Sequence, residues 1–167
     1  STINFVVGND LVSKSPIPVG VWSHITITAD NTGSKLYING ILDDTGGAAD
    51  FSFDSFRIGG QYTGSYWEAY VGKMDEVRVW SDVKTENEIR ENMMNNLTGN
   101  ENGLVAYYTF DNISGTTVHD FSGNGNSGVI TYDTNNLIWV ASTAFNTWLN
   151  TTSTDWNSAA DWSNGVP

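Results

Sequence analysis

The sequence predicts an all-β fold, an antiparallel two-layer sandwich carrying one short helix near residues 85–97. Three observations point there. Short runs of β-branched and aromatic residues alternate with polar ones at a period of two. Turn formers interrupt these runs at close intervals, and the chain holds 17 glycines to supply them. Only after Trp80 does the apolar spacing lengthen to four.

Along the chain, residues 3–7 form an apolar run closed by the turn former Gly8-Asn9-Asp10. Residues 11–18 include Pro16 and Pro18, which suits an edge strand or connector, because proline has no amide to give a ladder. Residues 22–29 alternate, with Ile25 and Ile27 on one face and Trp22, His24, Thr26 and Thr28 on the other. Residues 30–34 then close a hairpin to a strand over 35–38. Asn39-Gly40 is the strongest hairpin signal, since both residues tolerate positive φ in a two-residue turn, and residues 41–43 return. Another strand over 53–58 stops at Gly59-Gly60, and an aromatic-rich loop follows over 61–67.

A long central strand is placed at residues 72–80. Alternation sets Val71, Lys73, Asp75, Val77 and Val79 on one face, with Tyr70, Met74, Glu76, Arg78 and Trp80 on the other. A bare Asp75 carboxylate among valines would be costly to desolvate, so it needs backbone donors, a cation or a bulge. Thr85-Glu86-Asn87-Glu88 fits a capping box, and Ile89, Met93 and Leu97 make one helical stripe that ends at Thr98-Gly99-Asn100. Strand returns at 103–111, then in shorter pieces at 118–121, 129–132 and 137–140. From about Ala144 the texture changes: Trp148, Trp156 and Trp162 lie among small polar residues, in a tail too short for a core of its own.

Charge narrows the partners. Seven Lys and Arg against 19 Asp and Glu, a formal net charge of −12, disfavour nucleic acid, whose phosphates demand cationic side chains. The surplus acid suits a solvated surface or divalent cations. The absence of cysteine excludes a disulfide framework. No run has the apolar length for membrane insertion.

Two stretches are candidate sites. Asp120, Ser122, Asn124 and Asn126 place oxygen side chains at every second position, with Gly125 in sixth place, like the opening of a calcium loop. The set holds one carboxylate only, and Thr131 stands where a bidentate Glu would complete it. The same residues also read as a Gly/Asn-rich hairpin turn. Tyr62, Tyr66 and Trp67 sit between glycines, where their rings would stack on sugars while Gln61 and Glu68 bond hydroxyls; alternatively at least one folds back as core. His24 and His119 each fall in a strand pattern and read as packed or hydrogen-bonded rather than catalytic. Asp75 and Glu76 are adjacent, hence on opposite faces of a strand, and cannot form a facing acid/base pair without a bulge.

With these motifs in hand, a resemblance can be named. Trp22-Ser23-His24-Ile25-Thr26, Leu36-Tyr37-Ile38-Asn39-Gly40 and Gly72-Lys73-Met74-Asp75-Glu76-Val77-Arg78-Val79-Trp80 stand in the order seen in laminin-G-like (concanavalin A-like) jelly-roll domains. So do the segments 97–111 and 115–125 that close the pattern. The tail resembles the opening of Trp-rich repeats in large secreted bacterial surface proteins, through Trp156-Asn157-Ser158-Ala159-Ala160-Asp161-Trp162-Ser163-Asn164-Gly165-Val166-Pro167. The resemblance implies a laminin-G-like sandwich over residues 1–143, lacking its N-terminal strands, and the start of a Trp-rich module over 144–167. It also implies a piece of a larger protein, secreted or at a bacterial cell surface, with neighbouring modules of that protein as partners. Such domains often hold a structural Ca²⁺, which is the cofactor expected here. Jelly-roll glycoside hydrolases carry carboxylates as Glu-x-Asp-x-x-Glu on one strand face, and this chain has no such run. The expected function is therefore a non-catalytic binding or adhesion module for a glycan or an extracellular protein. The alternatives are an ancillary carbohydrate-binding domain of a polysaccharide-degrading enzyme and a spacer without a ligand.

Overall fold

The computed structural model describes residues 4–5, 11–48, 57–62, 67–111 and 115–130, with backbone alone at 4–5, 61–62 and 67–69. Every strand pairing among them is antiparallel. β1 (Asn4–Phe5) pairs with β2 (Leu11–Val12), and β3 (Ile25–Asp30), β4 (Gly33–Ile38) and β5 (Ile41–Gly46) form a meander. β6 (Gly60–Tyr62) pairs with β7 (Trp67–Ala69), β8 (Val77–Trp80) with β9 (Leu104–Tyr108), and β10 (Thr117–Val118) with β11 (Gly128–Val129). Helix α1 (Glu86–Asn92) lies between β8 and β9 in the chain.

Turn chemistry sets the meander. Asp30 Oδ1 accepts from the amides of Thr32 (2.7 Å) and Gly33 (3.1 Å), closing the β3–β4 turn with a side chain. Asn39 and Gly40, at φ 50° and 74°, form the two-residue turn between Ile38 and Ile41 that the sequence predicts. The return strand runs longer than expected and contains a bulge: Leu36 faces Asp44 while Tyr37 faces Leu42, so Asp43 has no opposite number. Freed from the ladder, Asp43 accepts from the amides of Lys14 (2.7 Å) and Ser15 (3.0 Å). Asp44 takes the Val12 amide and the Lys14 ammonium. This draws the segment after β2 onto the sheet, with Leu11 fully buried.

The central strand is shorter than its pattern. Glu76 takes a left-handed φ of 54°, which breaks the extended run, and only Val77 to Trp80 join a ladder. Asp75 precedes the strand, and its Oδ1 accepts from the Glu76 amide at 2.9 Å, the backbone-donor solution to its desolvation. Beyond this kink the alternation holds. Val77 and Val79, opposite Tyr108 and Ala106, pack on the core formed by Ala106, Tyr108 and Val118, with Phe110 and Ile130 at its margin.

Helix α1 starts as its sequence dictates. Thr85 is the N-cap, with both arms of the capping box closed: Glu88 N donates to Thr85 Oγ1 (3.3 Å), and Thr85 N donates to Glu88 Oε2 (2.7 Å). It ends at Asn92 with Met93 as C-cap, so Leu97 lies beyond it and Ile89 is the residue the helix buries. The early end has a cause. Asn92 Nδ2 turns back on the Glu88 carbonyl, and Arg78 draws the carbonyls of Asn92 and Asn95 toward β8. Among the described residues no helix is long and apolar enough to cross a membrane.

Candidate functional site

The β6–β7 hairpin carries two of the three aromatic residues singled out by sequence. Its register sets Tyr62 opposite Trp67, Gln61 opposite Glu68 and Gly60 opposite Ala69. Tyr66 lies outside the described residues. Strand alternation assigns the Tyr62–Trp67 and Gln61–Glu68 positions to opposite faces of the hairpin, so the two pairs do not address one ligand from one face. Tyr70 follows β7 in the chain. Its amide donates to the Gly59 carbonyl at 2.8 Å, extending the ladder one pair past β7, and its side chain is half exposed.

The four oxygen residues of the 120–126 loop do come together, but on the chain itself. Asp120 Oδ1 accepts from the amides of Tyr107 and Ser122, both at 2.9 Å, and Oδ2 accepts from the Asn126 amide at 2.9 Å. Ser122 Oγ (3.0 Å), Asn124 Nδ2 (3.1 Å) and Asn126 Nδ2 (2.9 Å) all donate to the carbonyl of Val105, the residue that bulges from β9. Asn124 Nδ2 also reaches the Leu104 carbonyl. Partial burial pushes the Asp120 carboxyl up, but the Ser122, Tyr107 and Asn126 donors outweigh it and hold the group below the usual range. Both Asp120 oxygens thus accept from backbone amides, while Asn124 and Asn126 engage the chain through their Nδ2 donors. Thr131 lies outside the described residues. Among the described residues no three His, Cys, Asp or Glu side chains gather as a metal cluster.

A third cluster escaped the sequence reading. Glu76 Oε2 pairs with Arg78 at 3.0 Å and accepts from the Tyr107 hydroxyl at 2.6 Å, while the guanidinium lies 5.5 Å from the Tyr107 ring centroid. Burial pushes Glu76 up against the pull of Tyr107 and Arg78. Burial, with the Glu76 bond and charge, raises Tyr107 to about 12. His24 is half-buried and depressed to about 4, first by burial and then by the Arg78 charge, so it is neutral at pH 7. Its main chain bonds Asn39 in both directions, His24 N to Asn39 Oδ1 and Asn39 N to His24 O, each at 2.8 Å. His119 is exposed. The kink at Glu76 is the signal that pairs residues 76 and 78 with β9, and no period in the sequence discloses it.

Comparison with known proteins adds the family. A laminin G family model, that of the concanavalin A-like lectin/glucanases superfamily, matches residues 2–90, more than half of the chain. The chain belongs to this superfamily. The antiparallel sheets and single short helix among the described residues accord with the β-sandwich that the sequence predicts. Among solved structures, the chain is similar to a "putative carbohydrate binding protein" of Bacteroides ovatus ATCC 8483, with 30% identity and a TM-score of 0.62 over 72% of this chain. The chain spans 37% of that protein's length. A second similarity, at 22% identity and a TM-score of 0.41, covers 50% of this chain and 44% of an S-layer domain-containing protein fragment of Clostridium thermocellum ATCC 27405. No curated protein matches the chain.

Proposed function

We propose that this superfamily member is a non-catalytic glycan-binding module of a secreted cell-surface protein, acting in adhesion through the β6–β7 hairpin and its neighbours. The observation that carries the reading is the 30% identity to the Bacteroides ovatus protein over 72% of the chain. The placement of Glu76 supports it: that carboxylate is tied to Arg78 and Tyr107 rather than opposed to a second carboxylate across a cleft. A second reading, an ancillary carbohydrate-binding domain of a polysaccharide-degrading enzyme, draws on a superfamily description that joins lectins with glucanases. Glycan-array binding of the chain, followed by a reducing-sugar assay on each hit, tests both. Binding without release of sugar ends is expected. Hydrolysis of a bound glycan, or no hit at all, overturns the reading.

A further inference from the structure

We propose that the end of helix α1 is an acid-released clasp. A proton taken up by His24 sets a second positive charge against Arg78, and the last turn of α1, with residues 93–96, lets go of β8 and of the Asn39–Gly40 turn while the sheets stay paired. The device is independent of any glycan. Three structural relationships support it.

The first is a shared cation. Arg78 donates to the carbonyls of Asn92 and Asn95, each at 2.6 Å, and to Glu76 Oε2 at 3.0 Å. Carbonyls at a helix end lack intrahelical donors, so this one side chain supplies what a further turn would have given. Among the described residues Arg78 is also the charge that acts on the His24 imidazole. A protonated His24 therefore meets a guanidinium already committed to the helix end.

The second is the mooring of His24. Its main chain is bonded both ways to Asn39, and its Nδ1 lies 3.4 Å from Thr26 Oγ1. The Asn39–Gly40 turn rests in its turn on α1. Arg90 Nε donates to the Gly40 carbonyl at 2.9 Å, and a Cβ on Gly40 would fall 2.7 Å from Arg90 Cγ and 3.3 Å from Met93 Sδ. Histidine and helix end are thus joined through the turn as well as through Arg78. Other charges nearby are already engaged or turned away. Glu76 is bonded to Arg78 and the Tyr107 hydroxyl, and Asp75 accepts from the Glu76 amide. On α1, Arg90 pairs with Glu86, Glu88 closes the capping box and Glu91 is exposed. On β4, Tyr37 is buried opposite Thr26, and Lys35 is exposed opposite Thr28.

The third is the weakness of α1 itself. It has seven residues and buries Ile89, whereas β3 and β4 pair over six positions. A helix this short is marginal in water without its tertiary contacts, so it yields before the ladders do. The sign follows from His24, held near 4 in the closed form against an ordinary 6.5. An opened form that frees the imidazole takes the proton first, and opening grows by up to about thirtyfold between pH 7.5 and pH 5. Glu76 keeps its Tyr107 bond in both forms, since β8 and β9 remain paired, so its own raised pKa does not enter the difference.

The test is amide hydrogen exchange of the full chain, followed by NMR at pH 7.5, 6 and 5 and read as protection factors, so that the intrinsic pH dependence of exchange cancels. The amides of Met93 and Asn95, bonded to the carbonyls of Ile89 and Asn92, report on the helix end, and the β3–β4 ladder reports on the sheet. From pH 7.5 to pH 5, protection of Met93 and Asn95 is expected to fall at least tenfold while the ladder stays within threefold. His24→Asn should remove the fall, and His119→Asn, a change of the exposed histidine, should keep it. Unchanged protection in the parent, a fall shared equally by the ladder, or a fall that survives His24→Asn overturns the clasp. Should His24→Asn not fold, the parent decides alone: a His24 ring that titrates at its ordinary 6.5 in the folded chain overturns it too.

Discussion

Arg78, on β8, donates through one guanidinium nitrogen to the carbonyl of Asn92, the last residue of α1, at 2.6 Å, and through the other to Asn95 at 2.6 Å. A cation thus completes the helix end, where carbonyls lack intrahelical partners and the dipole is negative. The same side chain balances Glu76, which is 15% exposed against 8% for Arg78. Arg78→Met should therefore cost about 3 kcal/mol, the scale for removing one member of a largely buried pair. Arg78→Met with Glu76→Gln should recover part of that loss, because no unpaired charge remains. Urea denaturation of the two variants checks the order. Equal loss in both would show that packing of the guanidinium, not its charge, holds the helix.

The His24 imidazole sets an acid dependence. Its folded pKa of about 4 lies below the ordinary 6.5, so the unfolded chain takes the proton first as pH falls. Stability linked to His24 is therefore complete above pH 6.5 and is lost toward pH 4, by roughly 3 kcal/mol at most. The depressed carboxylates Asp30, Asp43, Asp44 and Asp120 lose their contribution lower still, below their ordinary 3.8. Glu76 works the other way: its raised pKa favours the fold below 4.5, and that contribution fades as pH rises through its folded value. Comparing His24→Asn with the parent isolates the histidine. The variant should show a flatter fall in melting temperature between pH 6.5 and 4.5, and a parallel pair of curves would contradict the assignment.

Asp120 is expected to behave as a structural brace. Its removal strands three amides, those of Tyr107, Ser122 and Asn126, so Asp120→Ala should cost about 2 kcal/mol and lower the melting temperature by several degrees. Asp120→Asn should recover little, since its amide offers one acceptor oxygen where the carboxylate offers two. Because both Asp120 oxygens already accept from backbone amides, adding calcium or a chelator should leave the melting temperature unchanged. A rise of several degrees with millimolar calcium, abolished in Asp120→Ala, would instead make the loop a metal site.

Gly40 is constrained twice. Its φ is 74°, and a Cβ there would come within 2.7 Å of Arg90 Cγ and 3.3 Å of Met93 Sδ. Arg90 Nε donates to the Gly40 carbonyl at 2.9 Å, and the same guanidinium pairs with Glu86 one turn earlier. Gly40→Ala should cost about 2 kcal/mol from strain and displaced contact together. Adding Arg90→Ala to Gly40→Ala should relieve part of the crowding, giving a double variant more stable than the sum of the single losses. Thermal or urea denaturation of the three variants measures this coupling. Additive losses would mean that the helix does not press on the turn.

Local chemistry explains what was legible from sequence. The Asn39-Gly40 turn and the Thr85–Glu88 capping box are decided by residues a few positions apart, and both stand as read. The meander and the β8–β9 alternation past Val77 follow from period two for the same reason. What could not be read depends on distant partners. The Glu76 kink is stabilised by Tyr107, 31 residues away, and the early end of α1 by Arg78. The bonds that the Asp120 loop makes to β9 likewise depend on residues 13 to 21 positions away. The Val105 bulge that frees the carbonyl they share cannot be read from the loop itself.

The extra residue in β5 has a mechanical effect on the segment that follows β2. Residues 12–15 are latched to the meander by two carboxylates, Asp43 and Asp44, rather than by a continuous ladder. Bonds from Ser15 hold Asp43 below its usual range, and bonds from Lys14 do the same for Asp44, so both contribute above pH 3.8 and release on protonation. In strong acid this leading strip would unfasten while the neighbouring hairpins persist. The amide protons of Lys14 and Ser15 would then be among the first to exchange, and the strip would be a local release point set by two protons.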